Sequence, residues 1–459
     1  MGEMRLPDDA LYGASTQRAV LNFPISGRPL PDAFIQGLGL VKLACASANE
    51  ELGKLSVEKS RILQQVAREV AEGKLNTHFP VDVFQTGSGT STNMNVNEVI
   101  ANRASQLCNR AIGSKEPLHP NDDVNLGQSS NDIIPTTLHV SVACSLDRRL
   151  RPALQHLQAA FAEKSRAFEP VIKIGRTHLM DATPLTLGQV FSGYAMQVTK
   201  AVERTERAVK ALRELAVGGT AVGTGLNCHP KFAALVARKL SEETGLPFEE
   251  ARNHFEAQGG RDDAVEVAGH LATIAASLSK IANDIRLLGS GPRAGFGEIR
   301  LPATQPGSSI MPGKVNPVMC EMLVQVCIYV QGLSNMVVAC GRDGHFELNV
   351  TIPLIAYALH ESVEVLANGA RQFADACVMG LEADESRCRE LVDRSLMLVT
   401  ALNPLIGYDA AAAVAKEAFA SGRTLKEVVL AKGLLDEAQV DTALDPRSMT
   451  EPGERGAGA

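Results

Sequence analysis

Tryptophan is absent from this 459-residue chain, and aromatic residues make up only 4% of it. There is no basic run and no stripe interleaving basic with aromatic side chains, and the net charge is −7, so nucleic acid is not an expected partner. Cys-x-x-Cys is also missing. The nine cysteines are scattered and odd in number, which excludes a disulfide framework, an iron-sulfur cluster or a structural zinc site and fits reduced thiols in a cytoplasmic compartment. The nearest approach to a membrane span, Met322 to Cys340, is interrupted by Gln325, Gln331, Ser334 and Asn335 and reads as a buried helix. The Gly-rich stretch 218 to 225 lacks the strand and helix context of a dinucleotide fingerprint. No repeat of solenoid period is found. The start MGEMRLPDD is polar and acid-containing, unlike a secretory or transit peptide. Alternating Val/Ile/Thr runs hardly occur, so strands are expected to be few.

What the chain does have is helical periodicity. With 45% hydrophobic residues it can bury a sizeable core over two or three domains. Leu271, Ile274, Leu278, Ile281, Ile285 and Leu288 recur at alternating spacings of three and four, the seam of a bundle helix that Gly289, Gly291 and Pro292 stop. Met319, Met322, Val326, Val330, Leu333 and Val337 repeat the pattern in a segment apolar on other faces too, which needs neighbours on every side. Thr186 to Ala216 is a third long candidate. Helices of this kind imply a mainly α protein that associates through its bundle. We divide it into an N-terminal domain (1–128), a central helical-bundle domain (129–385) and a small C-terminal helical domain (386–459), whose Gly-rich tail 451–459 is expected to be disordered.

The most informative segment is Gly307 to Pro317, GSSIMPGKVNP. Its glycines and prolines force a loop of specified turns. That loop carries two hydroxyls (Ser308, Ser309), an apolar pair that can latch it (Ile310, Met311), a cation (Lys314) and an amide (Asn316), a set suited to a small carboxylate on which negative charge builds up. Pro317 suits the first turn of the following helix, whose positive end then favours an anion and an ionised Glu321. Four further polar segments stand out: QTGSGTSTNMNVNEVIANRA (85–104), HPNDDVNLGQSSNDIIPT (119–136), GRTHLMDATPLTLGQ (175–189) and GGTAVGTGLN (218–227). Many hydroxyls and amides of the first are equally suited to capping a helix. In HPNDD, His119, Asp122 and Asp123 lie close together, but at no known metal-ligand spacing. A histidine such as His178 serves acid-base chemistry near neutral pH or a plain structural hydrogen bond.

Together and in this order, the five segments resemble the fumarase/aspartase superfamily, and within it the class II fumarases, which lack an iron-sulfur cluster. The resemblance covers nearly the whole chain. It implies a three-domain, mainly α fold whose long-helix bundle forms the core of a homotetramer, and reversible hydration of fumarate to malate through an aci-carboxylate, without metal or organic cofactor. It implies Ser308 as the base at carbon and His178, polarised by Glu321, on the oxygen side. Lys314 and Asn316 then hold the developing charge. Ser88, Gly89, Thr90, Ser129, Ser130, Asn131, Thr177 and Ser309 bind the dicarboxylate, from segments that three subunits contribute to one site. His119, Asn121 and Asp122 map to a secondary carboxylate site. Aspartases of the superfamily typically carry glutamine where His178 stands, so an ammonia-lyase is the nearer alternative and a catalytically silent scaffold the remoter one. The chain departs from the pattern at Asp123, where HPNDH has histidine, and its LYGASTQR segment (11–18) lies unusually near the start.

Overall fold

The structure is a computed structural model that describes residues 3–453; positions 454–459 of the expected disordered tail lie outside the described residues. Helix accounts for 63% of the described residues. The six strands among the described residues pair only two by two, so the fold class is mainly α as the periodicity implies.

Two compact units interleave along the sequence. One holds the chain through Ala153 together with Ala201–Ala276 and Gln325–Gly369; the other holds Leu154–Lys200, Ser277–Val324 and the chain from Ala370 onward. In the first, the helix Asp32–Glu51 packs on Val57–Ala71, Ser130–Ser145 and Phe232–Thr244. Phe34, Leu38, Leu63, Val66, Ile133 and Leu138 are buried between them, the apolar burial that drives this packing. In the second unit, Phe161, Phe168, Phe191, Tyr194 and Phe373 meet at tilted or edge-on angles with ring centroids 5.1–6.5 Å apart, the preferred geometry of aromatic clusters. Short C-terminal helices close around Leu402, Val414, Val428, Val429 and Val440, and Ile174 joins that core.

Three of the four longest helices are those the spacing predicts; the fourth, Ile352–Ala376, was not among the candidates. Asp262–Leu288 buries Leu271, Ile274, Leu278, Ile281 and Ile285 on one seam and ends at Gly289. The third candidate is shorter than expected. It runs Leu187–Ala211, because Glu214–Leu215 leaves the helix to pair in parallel with Glu249–Glu250.

Val318–Arg342 corrects an expectation. Cys320, Leu323, Cys327, Val330, Leu333 and Val337 are buried, but Ile328 is 61% exposed, Tyr329 44% and Val338 50%. Within one chain the helix therefore has neighbours on one face only. It is long and apolar enough to cross a membrane by length and composition, but the buried seam and Glu321, Gln325, Gln331 and Asn335 along it are those of a packed helix.

Candidate active site

The predicted site residues fall into two groups, one in each compact unit. In the first unit, Gly89 takes φ +74° ahead of the helix Thr90–Leu107, and a Cβ there would stand 2.7 Å from Ile134 Cγ2. Only glycine meets both conditions. Gly89 has no side chain to cap this helix; Gln85 Oε1 does so instead, accepting the Thr92 N–H at 3.1 Å and the Thr92 hydroxyl at 2.8 Å. Ser88 Oγ lies 2.9 Å from Thr90 Oγ1, which lies 2.8 Å from Ser130 Oγ. These three form a continuous hydroxyl chain that joins the segment 85–104 to the segment 119–136.

Ser129 begins the next helix, Ser130–Ser145, in a capping box: its Oγ accepts the Asn131 N–H at 3.2 Å while its own N–H donates to Asp132 Oδ1 at 2.9 Å. The other Asp132 oxygen accepts the N–H groups of Gly218 and Thr220, each at 3.0 Å, and Asn131 Nδ2 donates to Ala221 O at 2.9 Å. The Gly-rich 218–225 stretch is thus fastened to the Ser129–Asn131 turn. Burial raises the Asp132 carboxyl to about 6, with the three N–H donors and the Lys42 charge pulling the other way.

On the other side of the turn stands Lys42, fully buried on Asp32–Glu51. Its Nζ donates to Asn125 Oδ1 at 3.1 Å and Gln128 Oε1 at 2.9 Å. Asn93 and Asn97 converge on the same Asn125 oxygen at 3.1 and 3.3 Å. Burial pulls the Lys42 ammonium down to about 8. Neither Lys42 nor Asp132 was singled out from sequence, although a signal existed for each. Lys42 is the lone charge in the apolar stretch GLGLVKLACASA, and Ser129-x-x-Asp132 fits the capping-box pattern.

The HPNDD segment forms a single tight turn, Pro120–Val124. His119 Nδ1 accepts the N–H groups of Asn121 and Asp122 at 3.3 and 3.1 Å. That nitrogen is therefore unprotonated, and the Asp122 carboxylate 3.2 Å away is a neighbour rather than an ion-pair partner. Asp123 turns aside: both its oxygens lie 2.8 Å from Lys59 Nζ, and one accepts the His119 N–H at 2.7 Å. The extra carboxylate is neutralised locally. His119 and Asn121 face a cavity of about 410 Å³ that Glu98, Asn102 and Lys115 also line.

In the second unit, strand β1 (Ile172–Thr177) and strand β2 (Met180–Thr186) form an antiparallel hairpin in which Thr177 faces Met180. His178 and Leu179 are the two turn residues, with φ +57° and +62°. A two-residue hairpin turn of this hand demands two positive φ values and favours Asn-Gly; for other residues the conformation costs about 1–3 kcal/mol each. Thr177 and His178 are exposed at the tip.

The loop 307–317 closes on itself. Gly307 N donates to Lys314 O at 2.9 Å, and a Cβ on Gly307 would stand 2.4 Å from that oxygen. Asn316 Nδ2 donates to Gly307 O at 2.7 Å, so in this conformation the amide staples the loop. Ser308 Oγ accepts two backbone N–H groups, from Ile310 at 3.2 Å and Met311 at 3.1 Å. Ser309 and Lys314 are exposed, as are the intended latch residues Ile310 (83%) and Met311 (46%). Pro317 precedes the helix Val318–Arg342 and places Glu321 in its first turn. Among the described residues no hydrogen bond joins His178 to the 307–316 loop.

These two groups, one built of neutral hydroxyls and amides and the other of a cation, an imidazole and an N–H-solvated serine, suit proton transfer beside a carboxylate. Comparison with known proteins narrows the chemistry. A profile described as Lyase matches residues 2–332, and one described as Fumarase C C-terminus matches residues 398–451. A class II fumarate hydratase of Bradyrhizobium diazoefficiens is 51% identical over 98% of this chain and 96% of that protein. The chain belongs to the class II fumarase family. The mitochondrial fumarate hydratase of Mus musculus is 51% identical over 98% of this chain and 89% of its own length. Among solved structures, the recombinant class II fumarase from Schistosoma mansoni superposes with a TM-score of 0.96 at 40% identity, covering 99% of this chain and 98% of that one. Family membership accounts for the order of all five polar segments, including the two that sequence reasoning found least specific, HPNDD and the Gly-rich 218–225.

Proposed function

We propose that this enzyme hydrates fumarate reversibly to (S)-malate with anti geometry, through an aci-carboxylate intermediate. The observation that carries the reading is the Ser308 oxygen held by two backbone N–H groups. Serine is a poor base unless its alkoxide is stabilised, and paired N–H donors supply that stabilisation. In the dehydration direction, Ser308 takes the proton from carbon beside a carboxylate. The electron pair moves onto that carboxylate, where Lys314 and Asn316 hold the charge. His178, polarised by Glu321, returns a proton to the departing hydroxide. For Asn316 to serve, its amide must exchange Gly307 O for substrate, so loop rearrangement is part of the cycle.

Ser88, Gly89, Thr90, Ser129, Ser130 and Asn131 grip the dicarboxylate with neutral donors, and Thr177 and Ser309 complete the grip. Neutral donors fix an anion's orientation at a lower desolvation cost than buried cations. The hydroxyl chain supports this assignment, because it brings Ser88, Thr90 and Ser130 onto one ligand-sized patch. His119, Asn121 and Asp122 form a secondary carboxylate site beside their cavity. Every step falls to a side chain, so the reading invokes no metal or organic cofactor.

Working sites need three copies of the chain in a homotetramer, divided along each chain at about residues 128 and 385. The exposed apolar face of Val318–Arg342 supports that association: Ile328 is 61% exposed, Val338 50% and Tyr329 44%. All nine cysteines are free, which favours a cytoplasmic setting. To test the function, purified enzyme is supplied with fumarate, with and without ammonium. Malate in both is expected; aspartate formed only with ammonium would replace hydration by ammonia addition, and no product would leave a silent scaffold.

A further inference from the structure

The turn that carries His178 is held in a conformation its own residues oppose. His178 and Leu179 both have positive φ, and Leu179 is 68% exposed, so the turn gains no packing from its tip. Such backbone states persist only where the surroundings over-determine them. Something behind the tip must fix the hairpin.

That anchor lies one residue before Thr177. Arg176 donates through Nη1 to Glu298 Oε2 at 2.8 Å, and its guanidinium sits 4.2 Å from the centroid of the Phe296 ring. Lys173, also on β1, places its ammonium 3.4 Å from the same carboxylate oxygen and donates to Ile174 O at 2.6 Å. The Glu298 side chain is fully buried, Lys173 is 4% exposed and Arg176 11%. Glu298 Oε1 has no partner among the described residues. A buried ion cluster is a weak source of stability but a strong selector of one arrangement. A one-residue slip of β1 would turn Arg176 to the other face and leave Glu298 short of a cation. Across the hairpin Arg176 faces Asp181, and the register shifts between Ile174 and Arg176. The ion cluster therefore pins the hairpin on the tip side of that irregularity.

We propose that Arg176, acting through Glu298 and Phe296, is a positioning residue that holds the His178–Leu179 turn in its strained form and so presents the imidazole to substrate. This rests on the reading of His178 as the acid-base group. Arg176 touches no substrate; its effect is on how often the imidazole is in place. Loss of the anchor lowers kcat and leaves the binding groups on the other segments intact, so KM changes little.

The experiment uses the full-length enzyme carrying Arg176→Met, Leu179→Gly, the two together, and His178→Asn, with kcat and KM measured for fumarate. Arg176→Met keeps the Lys173–Glu298 pair, so the cluster stays compensated. It is expected to lower kcat about tenfold or more with KM within about threefold. Leu179→Gly alone stays near wild type and, added to Arg176→Met, restores most of the lost kcat, because glycine adopts positive φ without strain. A merely structural role for Arg176 would not be rescued by glycine at the tip. Should Arg176→Met fail to assemble, Arg176→Lys, which keeps the charge but loses the fork and the ring stack, shows a smaller drop with the same rescue. Unchanged kcat in the arginine variant that assembles, or no rescue by Leu179→Gly, overturns the proposal. Near-normal activity in His178→Asn overturns the acid-base reading and this inference with it; inactive His178→Asn beside fully active arginine variants overturns this inference alone.

Discussion

The hydroxyls of Thr90 and Ser130, 40 residues apart in sequence, meet at 2.8 Å. One starts a helix behind Gly89 and the other starts a helix behind Ser129, so two helix N-termini are brought to one patch. Anions are favoured at such ends. Because the two hydroxyls share a hydrogen bond, their removal is coupled. Thr90→Val and Ser130→Ala should each raise KM for fumarate about tenfold, and the double variant should fall short of the product of the two. Steady-state kinetics on the four proteins checks this; strictly multiplicative effects would show that the pair does not act on one ligand.

His178→Asn is expected to lower kcat by about two to four orders of magnitude, the scale of a positioned acid-base group. The side chain is exposed at the hairpin tip, so sedimentation and circular dichroism should match wild type. Activity close to normal would remove His178 from the mechanism.

Asp132 makes stability fall with rising pH. The unfolded carboxyl gives up its proton near the ordinary aspartate value of 3.8, whereas burial keeps the folded one protonated up to about 6. Between these values the folded state binds more protons, so its advantage is full below the lower one and is lost as pH rises through the upper one, by on the order of 3 kcal/mol. From pH 4 to pH 6 the urea midpoint should shift further upward, or less downward, in Asp132→Asn than in wild type. Equal shifts would mean that Asp132 titrates normally.

The Lys59–Asp123 pair is partly exposed, with Lys59 at 43%, and contributes below about 1 kcal/mol to stability. Its consequence is electrostatic. Lys59→Met leaves the Asp123 charge uncompensated beside His119 and should weaken dicarboxylate binding at the secondary site several-fold, while Asp123→Asn should not. Calorimetric titration with malate, fitted with two sites on variants whose primary site is weakened by Ser130→Ala, reads this in the second site; an unchanged second-site affinity would place no ligand at His119.

Ile310 and Met311 are exposed on the loop. Saturating dicarboxylate should slow amide hydrogen exchange across 307–316 as the loop closes. Unchanged exchange would mean that the loop is already in its working form.

Much of this was legible in the sequence, for local reasons. The seam Leu271 to Ile285 and the stop at Gly289 follow from helical period and chain punctuation alone. The loop 307–317 announces itself through glycine and proline. What was not legible depends on distant partners. Arg176 reads as one residue of a motif; only the fold brings Glu298 and Phe296 to it. Lys42 reads as one charge in an apolar helix until Asn125 and Gln128 arrive at its ammonium. The exposed face of Val318–Arg342 could not be told from a buried one, because apolar periodicity records what must be covered and not whether the cover belongs to the same chain.

The claim that sites are shared between copies is tested most directly by mixing two dead enzymes. His178→Asn and Ser308→Ala are each expected to be nearly inactive. If His178 and Ser308 of one working site come from different copies, co-assembled and purified mixtures will recover activity, about a quarter of wild type for random mixing in equal amounts. No recovery in mixtures shown by mass spectrometry to contain both chains would mean that one chain supplies both residues, and the shared-site account would be wrong.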